Sequence, residues 1–195
     1  MPYIQNISEE NAGGVVAETY ENVKEIFGYV PNFVSAFSLR PEVLAGWNVL
    51  LESIKKNMDQ RRYELVTMAA AKELRSSYCL LAHGSVLLDG HFNDGELKSI
   101  MDTQEQSPID EGEKAVMKFA AKVVRDAASI TQEDVETLRG YALNDEEIFD
   151  IASAAAARCF FSKTLDALGV QPDSQFNSVE TGLRNVLTVG RSIEG

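Results

Sequence analysis

Cysteine is nearly absent from this 195-residue chain: Cys79 and Cys159 are the two present, eighty residues apart. Two thiols are too few for a disulfide framework and suit a reducing compartment, so any cysteine chemistry is expected to be catalytic or redox-linked. Histidine is as scarce, with His83 and His91 and no carboxylate cluster beside them, which offers no metal set. Basic residues are also short, 18 against 30 acidic ones, giving a net charge of -12. A field of that sign repels phosphate backbones and anionic lipid surfaces, so neither nucleic acid nor membrane is an expected partner. No stretch approaches the roughly 20 apolar residues of a membrane span. The longest candidate, Ile151 to Phe161, is alanine-heavy and broken by Arg158. Met1 to Tyr20 lacks a basic region followed by an apolar one, which makes the cytoplasm the expected location. Glycine-rich phosphate loops and dinucleotide fingerprints are missing as well.

What is present is an ordinary globular composition, 45% hydrophobic and 25% charged, in a chain long enough to bury a core without staples. Apolar residues recur at helical spacing and strand-like alternation is almost absent, so the expected fold is all-α, one compact helical domain over residues 1–195. A first helix is expected from about Glu9 to Phe27, closed by Gly28. The turn Gly28-Tyr-Val-Pro-Asn-Phe33 follows, with Pro31 holding Val30 extended. Pro41 opens a helix whose Val43, Leu44, Trp47, Leu50, Leu51 and Ile54 form one stripe. Asp59 caps the next, to about Arg75, where Ser76 and Ser77 interrupt it and start another through Leu88. Asn93 before Glu96, Asp110 before Glu113, Thr131 before Asp134 and Asn144 before Glu147 each mark a further start. The last of these carries the small-residue run Ala154 to Ala157, expected to admit a close neighbour, and a final helix is expected through Val179 to Val189.

The stretch from Glu64 to His83 concentrates the reactive residue types. Cys79 and His83 are four apart, so on a helix they share a face with Cβ atoms about 5–6 Å apart, which is thiol–imidazole distance. If that helix begins at Ser76 or Ser77, Cys79 lies in its first turn, where the macrodipole and the imidazole both favour a thiolate. Glu64 lies fifteen residues before Cys79, roughly 22 Å along an unbroken helix. It reaches the pair only through a break at Ser76-Ser77, and could then hold or protonate His83. Taken alone, a Cys-x-x-x-His pair on an apolar helix is more often a buried thiol and a satisfied histidine. Cys159, beside Arg158 and amid alanine and phenylalanine, reads as a buried structural thiol, with a distant resolving cysteine as its second role. His91 reads as a loop residue, Trp47 as core, and Tyr78 as either a substrate hydrogen-bonding group or a packing residue.

Glu64, eleven intervening residues and then Ser76-Ser-Tyr-Cys79-Leu-Leu-Ala-His83-Gly resemble the Glu-x11-Cys-x-x-Cys-x-x-x-His signature of the alkyl hydroperoxidase D and carboxymuconolactone decarboxylase family. Gly28 to Phe33, Pro41-Glu-Val-Leu44 with Trp47, Leu87-Leu-Asp-Gly90 and Leu165 to Asp173 resemble its peroxidase-related branch, so the likeness runs over about 28–173. One position departs. Ser76 stands where the family has its first, resolving cysteine, so a disulfide between that position and Cys79 is impossible.

The resemblance implies a cofactor-free thiol peroxidase with Cys79, His83 and Glu64 as its catalytic set and Ser76 at the resolving position. Cys79 would attack a small-molecule hydroperoxide and become a sulfenic acid, which an external thiol or dithiol must reduce. His83 would move the proton and Glu64 would orient His83. The family also implies a homo-oligomer. Two other readings stay open: a carboxymuconolactone decarboxylase-like lyase on a small lactone acid with His83 as general acid, and a catalytically weakened scaffold that keeps the helical assembly.

Overall fold

The computed structural model describes residues 2–102 and 107–195, and among these every regular element is helical. In chain order they are α1 (Val15–Phe27), α2 (Asn32–Ala36), α3 (Pro41–Lys55), α4 (Gln60–Glu73), α5 (Ser77–Leu88), α6 (Asp94–Asp102), α7 (Glu111–Asp126), α8 (Gln132–Gly140), α9 (Asp145–Ala167) and α10 (Thr181–Leu187). Short 3-10 turns occupy Glu9–Asn11, Ala127–Ser129 and Ser174–Ser178. The all-α fold expected from periodicity is the one observed.

The acceptor-then-acid spacing sets four of these helix starts by one device. At α6 the Asn93 side chain accepts from the Glu96 amide at 2.9 Å while the Glu96 carboxylate accepts from the Asn93 amide at 2.8 Å. Asp110 with Glu113, Thr131 with Asp134 and Asn144 with Glu147 repeat the reciprocal pair at α7, α8 and α9. Two of the capping acids do more, because Arg61 binds Glu113 at 2.6 Å and Arg62 binds Glu147 at 2.7 Å. The N-termini of α7 and α9 are thereby tied to the first turn of α4.

That tie places α4 at the centre, packed against α5, α7 and α9. Tyr63 to Ala71 are buried without interruption, as expected of a helix covered on every side. Its Ala69, Ala70 and Ala71 and the Ala154-Ala155 pair of α9 are all buried, so small residues line both helices. Leu80, Leu81 and Leu87 bring α5 into the same core, each contributing about 1.5–3 kcal/mol of apolar burial. α3 lies against α9, and α10 crosses α5 and α6.

Two helix boundaries differ from expectation. The first helix begins at Val15 rather than near Glu9, because Gly14 adopts φ 55° and ψ -132°, a conformation suited to glycine that breaks the run. The last helix is shortened to α10, with a separate 3-10 turn before it, since the Glu180 carboxylate caps the Leu183 amide at 2.8 Å and starts the helix there. Among the described residues no helix is long and apolar enough to cross a membrane.

Candidate functional site

The turn between α4 and α5 makes the site. The Ser76 amide donates to the Ala71 carbonyl at 2.9 Å and the Arg75 amide to the Lys72 carbonyl at 3.0 Å, with Arg75 left-handed at φ 57°. These are the bonds of a Schellman ending, built here on an arginine instead of the usual glycine. The Arg75 guanidinium donates to the Val189 carbonyl at 3.2 Å, and the Gly190 amide donates to the Ser77 hydroxyl at 2.8 Å. The break expected at Ser76-Ser77 is therefore present, but the left-handed Arg75 and the C-terminal segment produce it rather than serine capping. Ser76 occupies the N-cap position of α5 without a side-chain cap bond.

Folding α5 back on α4 brings Glu64 to His83, 2.5 Å from carboxylate Oε2 to Nδ1 across nineteen residues of sequence. The Glu64 side chain is 2% exposed and that of His83 19%. Burial pushes the His83 imidazole below its ordinary range, the Arg158 charge pushes it further, and Glu64 works against both. The ring is thus neutral near pH 7. With its Nδ1–H donating to the carboxylate, Nε2 keeps a free lone pair, as a proton acceptor requires.

Cys79 is the third residue of α5 and 1% exposed. Its sulfur accepts from the Ser162 hydroxyl at 3.1 Å and lies 3.8 Å from Arg158 Nη1. Both donors come from α9, one turn apart. Arg158 is itself buried, and its Nη2 donates to the Tyr63 hydroxyl at 2.8 Å. The guanidinium stands 5.5 Å from the Trp47 ring centre and 5.6 Å from that of Phe161. Burial opposes its charge, yet Cys79 and Tyr63 hold it above its ordinary range. Burial likewise pushes the Tyr63 hydroxyl up, with Arg158 pulling it back.

The structure therefore pairs Glu64 with His83 and sets Cys79 one helical turn before His83 on α5, its sulfur against Ser162 and Arg158. Ser76 is fully buried at the start of the same helix, and its hydroxyl makes no well-formed hydrogen bond. It lies near enough to Asp166 to ease that carboxyl, which burial pushes up. Cys159 corrects the sequence reading: it is half-buried, and its thiol faces the Ala155 carbonyl of its own helix at 3.7 Å. The arginine one residue earlier, not the cysteine, is what α9 sends inward. Tyr78 is a packing residue, since its hydroxyl donates to Asp173 and accepts from the Phe33 amide at 3.2 Å. Trp47 is core as expected and stacks on Phe161 at 4.9 Å. His91 lies in the turn after α5.

Sequence reasoning missed Arg158, Ser162 and Tyr63 as site residues. The signal for Arg158 was visible, because a lone charge inside an apolar helix must be paired within the fold. Ser162 and Tyr63 carried no such mark. Among the described residues no three His, Cys, Asp or Glu side chains gather as a metal-holding group. A groove of about 560 Å³ between α4, α6, α7 and α8, lined by Lys72, Lys118, Phe119 and Tyr141 among others, contains none of the motif residues.

No family model matches the chain. An alkyl hydroperoxide reductase of Mycobacterium tuberculosis is 34% identical over 87 residues, which is 44% of this chain and 25% of that protein. The match thus spans about a quarter of the relative's length. Among solved structures, the chain is similar to the alkylhydroperoxidase AhpD core of an uncharacterised peroxidase-related protein from Ralstonia eutropha JMP134, with TM-score 0.80, 19% identity and coverage of 90% of this chain and 94% of that one. A peroxidase-related protein from Silicibacter sp. TM1040 gives TM-score 0.75 at 22% identity, over 90% and 91% of the two chains. The debrominase Bmp8, as a cysteine-to-alanine variant in complex with 2,3,4-tribromopyrrole, gives 0.72 at 16% identity over 95% of both. The fold is that of the AhpD-like all-α proteins.

Proposed function

We propose that the chain is a cofactor-free thiol peroxidase-like oxidoreductase that reduces small hydroperoxides at Cys79, with an external thiol as reductant. The observation that carries this reading is the Glu64–His83 pair at 2.5 Å, standing one helical turn from the Cys79 thiol. A neutral imidazole fixed by a carboxylate can accept the thiol proton and return it to a leaving oxygen.

The Cys79 sulfur attacks the nearer peroxide oxygen as thiolate. A sulfur–oxygen bond forms, the oxygen–oxygen bond breaks, and sulfur loses two electrons to the peroxide. His83 delivers the proton to the departing alkoxide or hydroxide, leaving an alcohol or water and a sulfenic acid on Cys79. Since Ser76 offers no thiol, one external thiol condenses with the sulfenic acid and releases water. A second thiol then exchanges with the mixed disulfide and restores Cys79. Two unpaired cysteines agree with a reducing compartment, for which the cytoplasm is our assignment. The exposed Phe149 and Phe160 of α9 and Val49 and Leu50 of α3 support self-association into a homo-oligomer.

Mass spectrometry of Cys79 after graded peroxide exposure, with and without a dithiol, tests the reading. One added oxygen on Cys79 that the dithiol removes is the expected result. An unoxidised Cys79 alongside turnover of a lactone acid, or of a brominated pyrrole, would overturn it.

A further inference from the structure

We propose that Arg158 and Ser162 form a buried anion pocket in which Arg158 is the counter-ion that keeps the Cys79 sulfur ionised. This assigns catalytic roles to two α9 residues outside the motif. It deepens the peroxidase reading and rests on it only for the reaction that the thiolate performs.

A guanidinium removed from water needs a negative partner or a full set of acceptors. The contacts of Arg158 are the Tyr63 hydroxyl, the faces of Trp47 and Phe161, and the Cys79 sulfur. Tyr63 is kept neutral by burial, and aromatic faces offer only their quadrupoles. Among these contacts, sulfur is the group that can carry a balancing charge. Among the described residues, the other titratable groups near the pocket make no bond to the guanidinium. Glu64 is bound by His83 at 2.5 Å. Lys55, at the end of α3, stands 5.1 Å from the Tyr63 ring centre and adds a positive charge that His83 also senses.

The donor geometry agrees. Ser162 follows Arg158 by one helical turn, is fully buried, and directs its hydroxyl to sulfur at 3.1 Å. Cys79 also sits in the first turn of α5, where free amides and the helix dipole favour an anion. Donors from α9 and the dipole of α5 thus converge on one atom. The proton that the thiol gives up passes to His83, which holds it for the leaving oxygen.

The test titrates the far-ultraviolet thiolate absorbance of the full-length chain in a Cys159→Ser background, subtracting the Cys79→Ser double variant. Such a readout needs no reagent to reach the buried sulfur. Arg158→Met should move the Cys79 midpoint upward by about one pH unit or more, a tenfold or greater loss of thiolate below it. Arg158→Lys, which keeps the charge without the fork, should recover part of the shift. Ser162→Ala removes one oxygen and should raise the midpoint by a smaller amount, so it carries the test if Arg158→Met does not fold. Folded Ser162→Ala and Arg158 variants titrating like the parent would overturn the assignment, since a merely structural role alters reagent access without moving the midpoint. Variant midpoints that move as expected while Cys79 of the parent ignores peroxide support the pocket and sink the peroxidase reading. Peroxide consumption with unmoved midpoints does the reverse.

Discussion

Gly190 lies so close to Arg75 that a Cβ built on it would stand 2.1 Å from the Arg75 carbonyl oxygen. The same glycine donates its amide to Ser77, so the C-terminal segment clamps both sides of the turn that folds α5 onto α4. Gly190→Ala should lower stability by roughly 1–3 kcal/mol, the usual cost of inserting a methyl group where no space exists. The urea unfolding midpoint checks this, and a midpoint equal to the parent's would show that the clamp contributes nothing.

His83 links site chemistry to acid stability. Its folded value lies below the ordinary 6.5, mainly through burial and then through Arg158. As pH falls through 6.5 the unfolded chain takes up a proton that the native ring refuses, so stability falls until the depressed native value is passed, and then levels off. Removing Glu64, which works to raise the native value, should deepen the loss in Glu64→Gln. Comparing denaturation of the parent, His83→Asn and Glu64→Gln at about pH 7 and about pH 5 reads the effect. An acid-induced loss as large in His83→Asn as in the parent would assign it elsewhere.

Cys79 and Cys159 differ: one is buried against donors, and the other is half-buried with its thiol toward the Ala155 carbonyl. Iodoacetamide, a small electrophile, should modify Cys79 first near neutral pH, whereas a maleimide on a polymer chain should reach only Cys159. Peptide mapping after each reagent decides the matter. His83→Ala should slow the Cys79 reaction more than Glu64→Gln does, because Glu64 acts through the ring.

Ser76→Cys exchanges one oxygen for one sulfur at the buried N-cap of α5, so folding should be little disturbed. The new thiol, three residues from Cys79, should condense with the sulfenic acid and raise dithiol-dependent peroxide turnover. Thiol counting after peroxide should then show both thiols consumed together. A folded variant that forms no disulfide and gains no turnover would favour the lyase or scaffold reading.

Trp47 is the single tryptophan of the chain and touches the guanidinium that touches Cys79. Oxidation of the sulfur should change its emission in the parent and leave it unchanged in Cys79→Ser. Titrating fluorescence against peroxide gives the measurement, and identical traces from the two proteins would disconnect the ring from the site.

Much of this was legible because the governing rules are local. Asn93, Asp110, Thr131 and Asn144 announced their helices through an acid three residues on, and each forms the expected reciprocal cap. Cys79 and His83 share a helix, so their spacing alone placed them one turn apart. The Glu64 contact was conditional on a break, and the break occurred for a reason the local sequence did not contain. Its bracing comes from Val189 and Gly190, more than a hundred residues on. Ser162 and Tyr63 were invisible for the same reason, since an ordinary serine and an ordinary tyrosine become site residues only once α9 docks on α4. Arg158 was the exception, misread as a mere interruption although a buried charge demands a partner.

The two halves of the site mature on different schedules. Glu64 and His83 lie on consecutive helices, whereas the donors to the sulfur come seventy-nine and eighty-three residues after Cys79. At synthesis rates of about 5–20 residues per second, the thiol leaves the ribosome roughly 4–16 s before Arg158 does. During that interval Cys79 has neither its counter-ion nor its cover. An oxygen acquired then must be fitted into a cavity shaped for bare sulfur, so peroxide stress during translation should reduce the yield of folded protein at concentrations that the finished molecule survives.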